Sequence, residues 1–504
     1  MGTVELLGVV GGLIGLGLMT LAGRRHLGAA SHSLSTSARF SKAGTRELDR
    51  RRRTLRPSLE KPMHEDLGYR LGAEGRHECW ASVEDSIVVL GPPRSGKGLH
   101  LCVPMILDAP GSVLTTSTRS DNLVLTLHAR QARGPVAVFD PQGLAPGIPS
   151  TTRWSPIRGC EDPHVAMVRA KALTSSTASG TTDSNFWQAS SEQAVRCLLH
   201  AAALGKCTTT DLYRWSLSAV HAREAVLILG THPQAATAWY QALDAIISAD
   251  PRQRDSVWAM VTIAFSALSD PKVLDALSPG PGEDLDPADF LRNNGAIYPL
   301  GTSSGSSATS NLVAAFVEDV VETARRLAAR SIGGRLDPPL TLVLDEAANY
   351  PLPSLPSLMS DGGGSGISTI VVLQSLAQAR HVWGDRAASA IWDAAIVKVV
   401  LGGGSNARDL EDLSKLLGQR DEHHVSTSRG PEGRRTTSTS TTKVPLYEPS
   451  ALRTLPFGSA ILLMRSAAPI KLTLRPWTRR KDAAELTAAR ESLERALTGA
   501  AAGA

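Results

Sequence analysis

The sequence predicts an α/β protein: a helix-covered parallel sheet, split by an all-helical insertion and preceded by one apolar segment of membrane-spanning character. Three observations carry this reading. Short β-branched runs alternate with helical stretches, the rhythm of a parallel sheet with crossover helices. That rhythm stops at Pro156 and resumes at Ala296, with only helical patterning between. Residues 6–22, LLGVVGGLIGLGLMTLA, form an uncharged run of 17 residues, at the short end of what a bilayer-spanning helix requires. At 504 residues the chain exceeds one ordinary core, so two or three units are expected. Aromatics at 4%, against plentiful small and branched aliphatics, favour a helix-covered sheet over a β-sandwich.

Taken in order, residues 4–23 read as a transmembrane helix. Glu5 sits where a signal peptide would carry positive charge, and no small-residue cleavage motif precedes Arg24 and Arg25, so an uncleaved anchor is expected. The arginines that follow place the remaining chain in the cytoplasm, on the inner face of the cell membrane. Gly8 with Gly12 and Gly11 with Gly15 have a spacing that lets helices approach closely, although glycine is common in such helices. Residues 24–60 read as a flexible basic juxtamembrane linker. Ten Lys or Arg between 24 and 56 face only Glu47 and Asp49, a local +8 within a chain of net +5. Everything after residue 56 therefore sums to −2, and the pI near 9.0 describes this arm rather than a nucleic-acid groove.

The first part of the sheet domain spans 61–156, with strands expected at 86–90, 112–116 and 136–139. The helical insertion spans 157–289: Asp162 and Pro163 form an N-cap and first-turn pair, and helices are expected at 186–204, 211–220, 233–247 and 251–268. The second part spans 290–480, with strands at 296–300, 341–344, 367–373, 395–401, 459–464 and 470–474. Residues 425–443 are polar, so a mobile loop or a long hairpin is expected there. Residues 481–504 close the chain with one Ala-rich exposed helix. Cys79, Cys102, Cys160, Cys197 and Cys207 have no paired spacing, which points to a reduced, cytosolic body without a zinc cluster. The adjacent His423 and His424 suit neither a strand face nor helical chelation, and no metal is assigned to them.

The chemistry concentrates at two strand ends. In IVVLGPPRSGKG, the residues Gly91, Pro92, Pro93, Arg94, Ser95, Gly96, Lys97 and Gly98 follow a strand with the GxxxxGK spacing of a phosphate loop. Glycines let backbone N–H groups converge on phosphate oxygens, the next helix points its positive end at them, and Lys97 reaches the β and γ phosphates. Gly98 stands where a magnesium-binding Ser or Thr is usual. An apolar strand at 341–344 ends in Asp345, suited to hold Mg2+ through water, and Glu346, suited to act as general base on the attacking water. The strand at 367–373 ends at Gln374, a neutral amide placed to sense the γ-phosphate. These residues together predict an ATP- and Mg2+-dependent P-loop motor of the RecA-like class.

The sequence resembles the TraG/TraD-type coupling proteins of type IV secretion and conjugation over nearly its whole length. The resemblance rests on the N-terminal apolar segment, GPPRSGKG, SVLTTSTRSDNL, VFDPQG followed by WSPI, NFWQASSEQA, LVLDEAANYPLPSLPSL, GISTIVVLQSLAQAR and LSKLLG. Gly98 after the lysine is familiar in that family. The likeness implies a homo-hexameric inner-membrane ATPase with a RecA-like motor domain and a helical domain facing the cytoplasm. It also implies a partner relaxase bound to single-stranded DNA, delivered to the secretion channel. Family members often have a basic residue in the loop before the Gln strand. Here that loop reads DGGGSG, which leaves Arg380 and Arg420 as candidates for an arginine acting on a neighbour's nucleotide.

Two other readings share parts of this pattern. An FtsK-like duplex DNA translocase would predict several membrane spans and a terminal winged helix, and neither is visible. A nucleotide-binding membrane adaptor for protein substrates, without ATP turnover, is motivated by Gly98. The loop at 425–443 carries Arg429, Arg434, Arg435 and Lys443, which suit either a pore-side contact with phosphates or a solvated segment.

Overall fold

The computed structural model describes residues 40–145, 147–148, 152–175, 184–301, 307–429 and 435–501. The apolar run at 6–22 lies outside the described residues. Among those described, no helix is long and apolar enough to cross a membrane.

An 11-stranded sheet organises the chain. In chain order its strands are β1 (Gly68–Glu74), β2 (His77–Ser82), β3 (Ile87–Leu90), β4 (Val113–Thr116), β5 (Val136–Phe139), β6 (Ala296–Pro299), β7 (Leu340–Leu344), β8 (Ile367–Leu373) and β9 (Val397–Leu401). A separate two-stranded ribbon follows, β10 (Gln419–Arg429) with β11 (Arg435–Pro445), before β12 (Ser459–Met464) and β13 (Ile470–Thr473) return to the main sheet. The spatial order is β2-β1-β13-β12-β9-β3-β8-β7-β4-β6-β5. From β9 to β5 all pairings are parallel; β12, β13, β1 and β2 extend the β9 edge antiparallel.

Strand alternation builds a core on each face. Val88 and Leu90 of β3 join one cluster with Val371 and Leu373 of β8, and Ile87 and Val89 join the other with Ile370 and Val372. Each core strand is buried on both sides, which explains why these runs are continuously apolar rather than alternating.

The insertion is all-helical, and four Asp-Pro pairs start its helices. The carboxylates of Asp162, Asp250, Asp270 and Asp286 each accept a backbone N–H two residues on, heading Pro163–Leu173, Pro251–Phe265, Pro271–Ala276 and Pro287–Arg292. A helix that was not expected, Arg223–Thr231, comes first, and the helix expected at 233–247 is shortened to Trp239–Ile247. Pro233 follows the end of the first, and Ala238 takes a left-handed backbone (φ 66°) before the second.

Three further expectations change. Within the stretch read as a flexible linker, Thr45–Leu55 is a helix that buries Leu48 and Leu55. Its Arg51 bonds Glu84, and Arg56 meets Asp337 at 2.5 Å. The β1–β2 hairpin was not foreseen, because GYRLGAE and HECWAS mix charges and glycines and lack a clean period. The C-terminal helix Ala483–Ala501 is not wholly exposed: Leu486 is buried against Val103, Leu107 and Trp477. Of the two alternatives for residues 425–443, the chain adopts the long hairpin, in register from Gln419 opposite Pro445 to Arg429 opposite Arg435.

Candidate nucleotide site

The C-terminal ends of the parallel strands lie along one edge, where open α/β sheets bind their ligands. There β3 runs into the phosphate loop, β8 into Gln374, β7 into Asp345 and Glu346, and β4 toward Thr118. The loop is tightly folded on itself. A β-carbon at Gly91 would lie 2.7 Å from both Leu401 Cδ1 and Ser95 Oγ, and Gly96 adopts φ +85°. Arg94 also takes a left-handed backbone, φ 63°. The next helix opens with a π turn, Gly98–Cys102, and continues as Val103–Asp108. The wider turn accommodates Pro104, which has no N–H for an ordinary α ladder.

The structure brings Lys97, Asp345, Glu346 and Gln374 into one cluster. Lys97 Nζ lies 4.0 Å from Glu346 Oε1, and Gln374 Nε2 donates to the same oxygen at 3.3 Å. Glu346 Oε2 accepts from Thr118 Oγ1 at 2.7 Å and from Asn349 Nδ2 at 3.1 Å. Glu346 itself sits at φ 51°, a backbone that a non-glycine residue occupies at a cost of about 1–3 kcal/mol where surrounding contacts over-determine it. The acid is therefore aimed by both its backbone and four neighbours.

Asp345 is held differently. Burial pushes its carboxyl up to about 6; Lys97 opposes that rise and Glu346 adds to it. Asn122 Nδ2 reaches Oδ2 at 3.5 Å, while Oδ1 is buried without a hydrogen-bond partner among the described residues. Ser95 Oγ, in the phosphate loop, is likewise buried and unsatisfied there. Buried polar atoms normally find partners. An orphaned carboxylate oxygen and an orphaned hydroxyl beside a lysine fit a bound phosphate chain with its divalent cation. At Gly98 an added β-carbon would meet nothing within 4 Å, so the missing hydroxyl has left room rather than been replaced by a neighbour.

Thr118, Asn122 and Asn349 were not singled out from sequence. SVLTTSTRSDNL, which holds Thr118 and Asn122, carries the family resemblance, but nothing in it marks either side chain as a partner of the two acids. Arg380 is committed within its own chain, bonded at 2.6 Å to the buried Asp409. Arg420 stands on β10 of the ribbon. The DGGGSG loop lies at the opposite end of the sheet, where a β-carbon on Gly363 would be 2.0 Å from Glu84 O. Backbone contact leaves no room for a side chain at Gly363 itself.

WSPI and the start of the insertion form a buried structural node. Asp319 binds Arg169 at 2.6 Å and accepts from Trp154 Nε1 at 2.9 Å, and the Arg169 guanidinium lies 5.1 Å over the Trp154 ring. Phe139 of β5 stacks on Phe316 beside them, with ring centroids 4.6 Å apart. These residues join the sheet to the insertion.

Comparison with known proteins bears on the fold. Residues 339–457 match the family model described as the TraM recognition site of TraD and TraG. No curated protein matches the chain in sequence. Among solved structures, the bacterial conjugative coupling protein TrwBdeltaN70, unbound monoclinic form, aligns with TM-score 0.60 and 16% identity, covering 86% of this chain and 92% of that one. The plasmid coupling protein TrwB in complex with the non-hydrolysable GTP analogue GDPNP gives TM-score 0.61 and 17% identity over 86% and 93%. The same protein with ADP and Mg2+ gives 0.59 and 18% over 86% and 93%. At these identities the likeness to TrwB is one of fold. Together with the matched region at 339–457, it bears out the resemblance to TraG/TraD-type coupling proteins.

Proposed function

We propose that this chain is an ATP-driven, membrane-anchored coupling protein that recruits relaxase-bound DNA and passes it to a type IV secretion channel, working as a homo-hexamer. The observation that carries the reading is the meeting of Lys97, Asp345, Glu346 and Gln374 at one edge of the sheet, in a fold shared with TrwB. TrwB has been crystallised with the ATP analogue ADPNP and with ADP and Mg2+, which supports ATP and Mg2+ as ligands here.

The residues divide the work. Backbone N–H groups of the loop from Gly91 to Lys97, with Ser95 Oγ, receive the phosphates, and Lys97 balances charge on the β and γ groups. Asp345 would hold Mg2+ through water, and the ion would supply neutralisation of phosphate charge. Glu346 takes the proton of the attacking water. Gln374, already bonded to Glu346, reports the γ-phosphate to the base. A transmembrane helix at residues 4–23 would anchor the protein to the inner membrane.

ATP hydrolysis by the full chain, measured with and without single-stranded and duplex DNA, tests this. Turnover that rises with DNA and vanishes in Lys97→Ala is expected. Turnover indifferent to Lys97→Ala refutes the site, and turnover indifferent to DNA points instead to protein cargo.

A further inference from the structure

The phosphate loop has a second neighbour that the reaction above does not use. Among the large apolar side chains of the described residues, Phe457 is one of the most exposed, at 67%. Yet it sits on the loop: a β-carbon on Gly96 would lie 2.8 Å from its Cε2. The buried His100, whose Nδ1 pairs with Gly96 O at 2.9 Å, meets the Phe457 ring edge-on, with centroids 5.2 Å apart.

The segment presenting this ring is fixed. Leu474 N–H donates to Gly458 O at 2.8 Å, and Gly403 N–H to Arg453 O at 2.9 Å. Gly402 packs so closely that its β-carbon would stand 2.4 Å from Leu455 O. Gly458 takes φ +78°, which directs the chain from the phosphate loop into β12. An apolar ring held in water by a rigid backbone gains nothing from burial in its own fold.

Sheet order says which end of a nucleotide it faces. Glu346 and Gln374, the groups for the γ-phosphate, lie at the ends of β7 and β8, on one side of β3. Phe457 precedes β12, which lies beyond β9 on the other side of β3. A nucleotide whose γ-phosphate points toward β8 therefore extends its base toward β12.

We infer that Phe457 is the platform on which the nucleobase stacks, making it a specificity-determining residue for nucleotides over bare polyphosphate. This rests on the phosphate-loop reading given above. Stacking on a ring face tolerates any base, so the platform selects for a base without choosing strongly between adenine and guanine.

Equilibrium binding to the full chain tests the inference, with ATP, GTP and inorganic tripolyphosphate as probes. Phe457→Ala should weaken ATP and GTP alike by about tenfold, the scale of one base–aromatic stack, and leave tripolyphosphate unchanged. Phe457→Tyr should restore nucleotide affinity. Equal weakening of nucleotide and tripolyphosphate would mean that the ring only braces the loop, and unchanged ATP affinity would mean that it does not meet the base; either result overturns the proposal. ATP binding that survives Lys97→Ala would instead overturn the phosphate-loop reading, whatever Phe457 does.

Discussion

Asp345→Asn is expected to stabilise the nucleotide-free protein and to abolish its response to magnesium nucleotide, two effects of opposite sign from one substitution. The rise of the Asp345 carboxyl from its ordinary 3.8 to about 6, driven first by burial, corresponds to roughly 3 kcal/mol of preference for the protonated form. Between those two pH values the folded chain binds a proton that the unfolded chain has released. The nucleotide-free protein therefore loses stability as pH rises through that window and stays at the lower level above it. Asparagine has no charge to bury, and Lys97 keeps Glu346 as its neighbour at 4.0 Å, so no new orphan cation appears. At pH 8 the variant should melt a few degrees higher than the parent, and the difference should shrink toward zero near pH 4. Saturating Mg2+ and ATP should raise the parent's melting temperature and leave that of the variant nearly unchanged, reversing their order. Thermal melts at pH 5 and pH 8, with and without ligand, decide the matter. A variant that melts lower than the parent at pH 8 without ligand, or gains as much from Mg2+ and ATP, would refute the account of a buried carboxylate awaiting a cation.

Glu346→Gln should retain ATP affinity while turnover falls by about 100-fold or more, because an amide can keep the Thr118 contact but accepts no proton; steady-state hydrolysis alongside equilibrium binding reads both. Gly98→Ser places a hydroxyl in open space and should lower the Mg2+ concentration needed for half-maximal hydrolysis, as a magnesium titration would show. Asp319→Asn strips the charge partner from the buried Arg169 and should cost about 3–5 kcal/mol, measured as a lower denaturation midpoint. The Arg169 and Arg158 guanidiniums hold the Asp319 carboxyl below the usual range against its burial. The parent should accordingly lose this contribution on acidification through that range, and the variant should not.

Much of the core was legible because it obeys strong local rules. Val136–Phe139, Ile367–Leu373 and Ser459–Met464 have the bounds that their apolar runs predicted, since strands in the middle layer leave short, nearly unbroken apolar runs. Asp345, Glu346 and Gln374 could be placed with Lys97 because they follow such strands directly and Lys97 ends the loop that follows another. Thr118 and Asn349 were out of reach for the opposite reason. A threonine or asparagine past a strand is ordinary in sequence; Thr118 meets Glu346, more than 200 positions away, only because β4 pairs with β7, and Asn349 turns back on Glu346 through the local fold of the segment after β7.

The basic arm shows where charge counting misleads. A local +8 between residues 24 and 56 invites a picture of a flexible juxtamembrane linker, yet part of that charge is spent inside the protein. Arg51 and Arg335 converge on Glu84, Arg465 meets Asp85 at 2.5 Å, and Arg56 meets Asp337. These acids lie just before β3 and β7, at the end of the sheet opposite the phosphate loop. Acids distant in sequence neutralise the arginines, so no local window could reveal it. The consequence bears on truncation. Removing residues 1–39 leaves the helix Thr45–Leu55 and its ion pairs intact. Removing residues 1–56 takes away Leu48 and Leu55 from the core, leaves Glu84 with Arg335 alone and deprives Asp337 of Arg56. A fragment beginning at residue 57 would thus be weakened for reasons unrelated to the membrane, and only the shorter truncation removes the apolar run at 6–22, with Arg24, Arg25 and Arg39, without stripping the core.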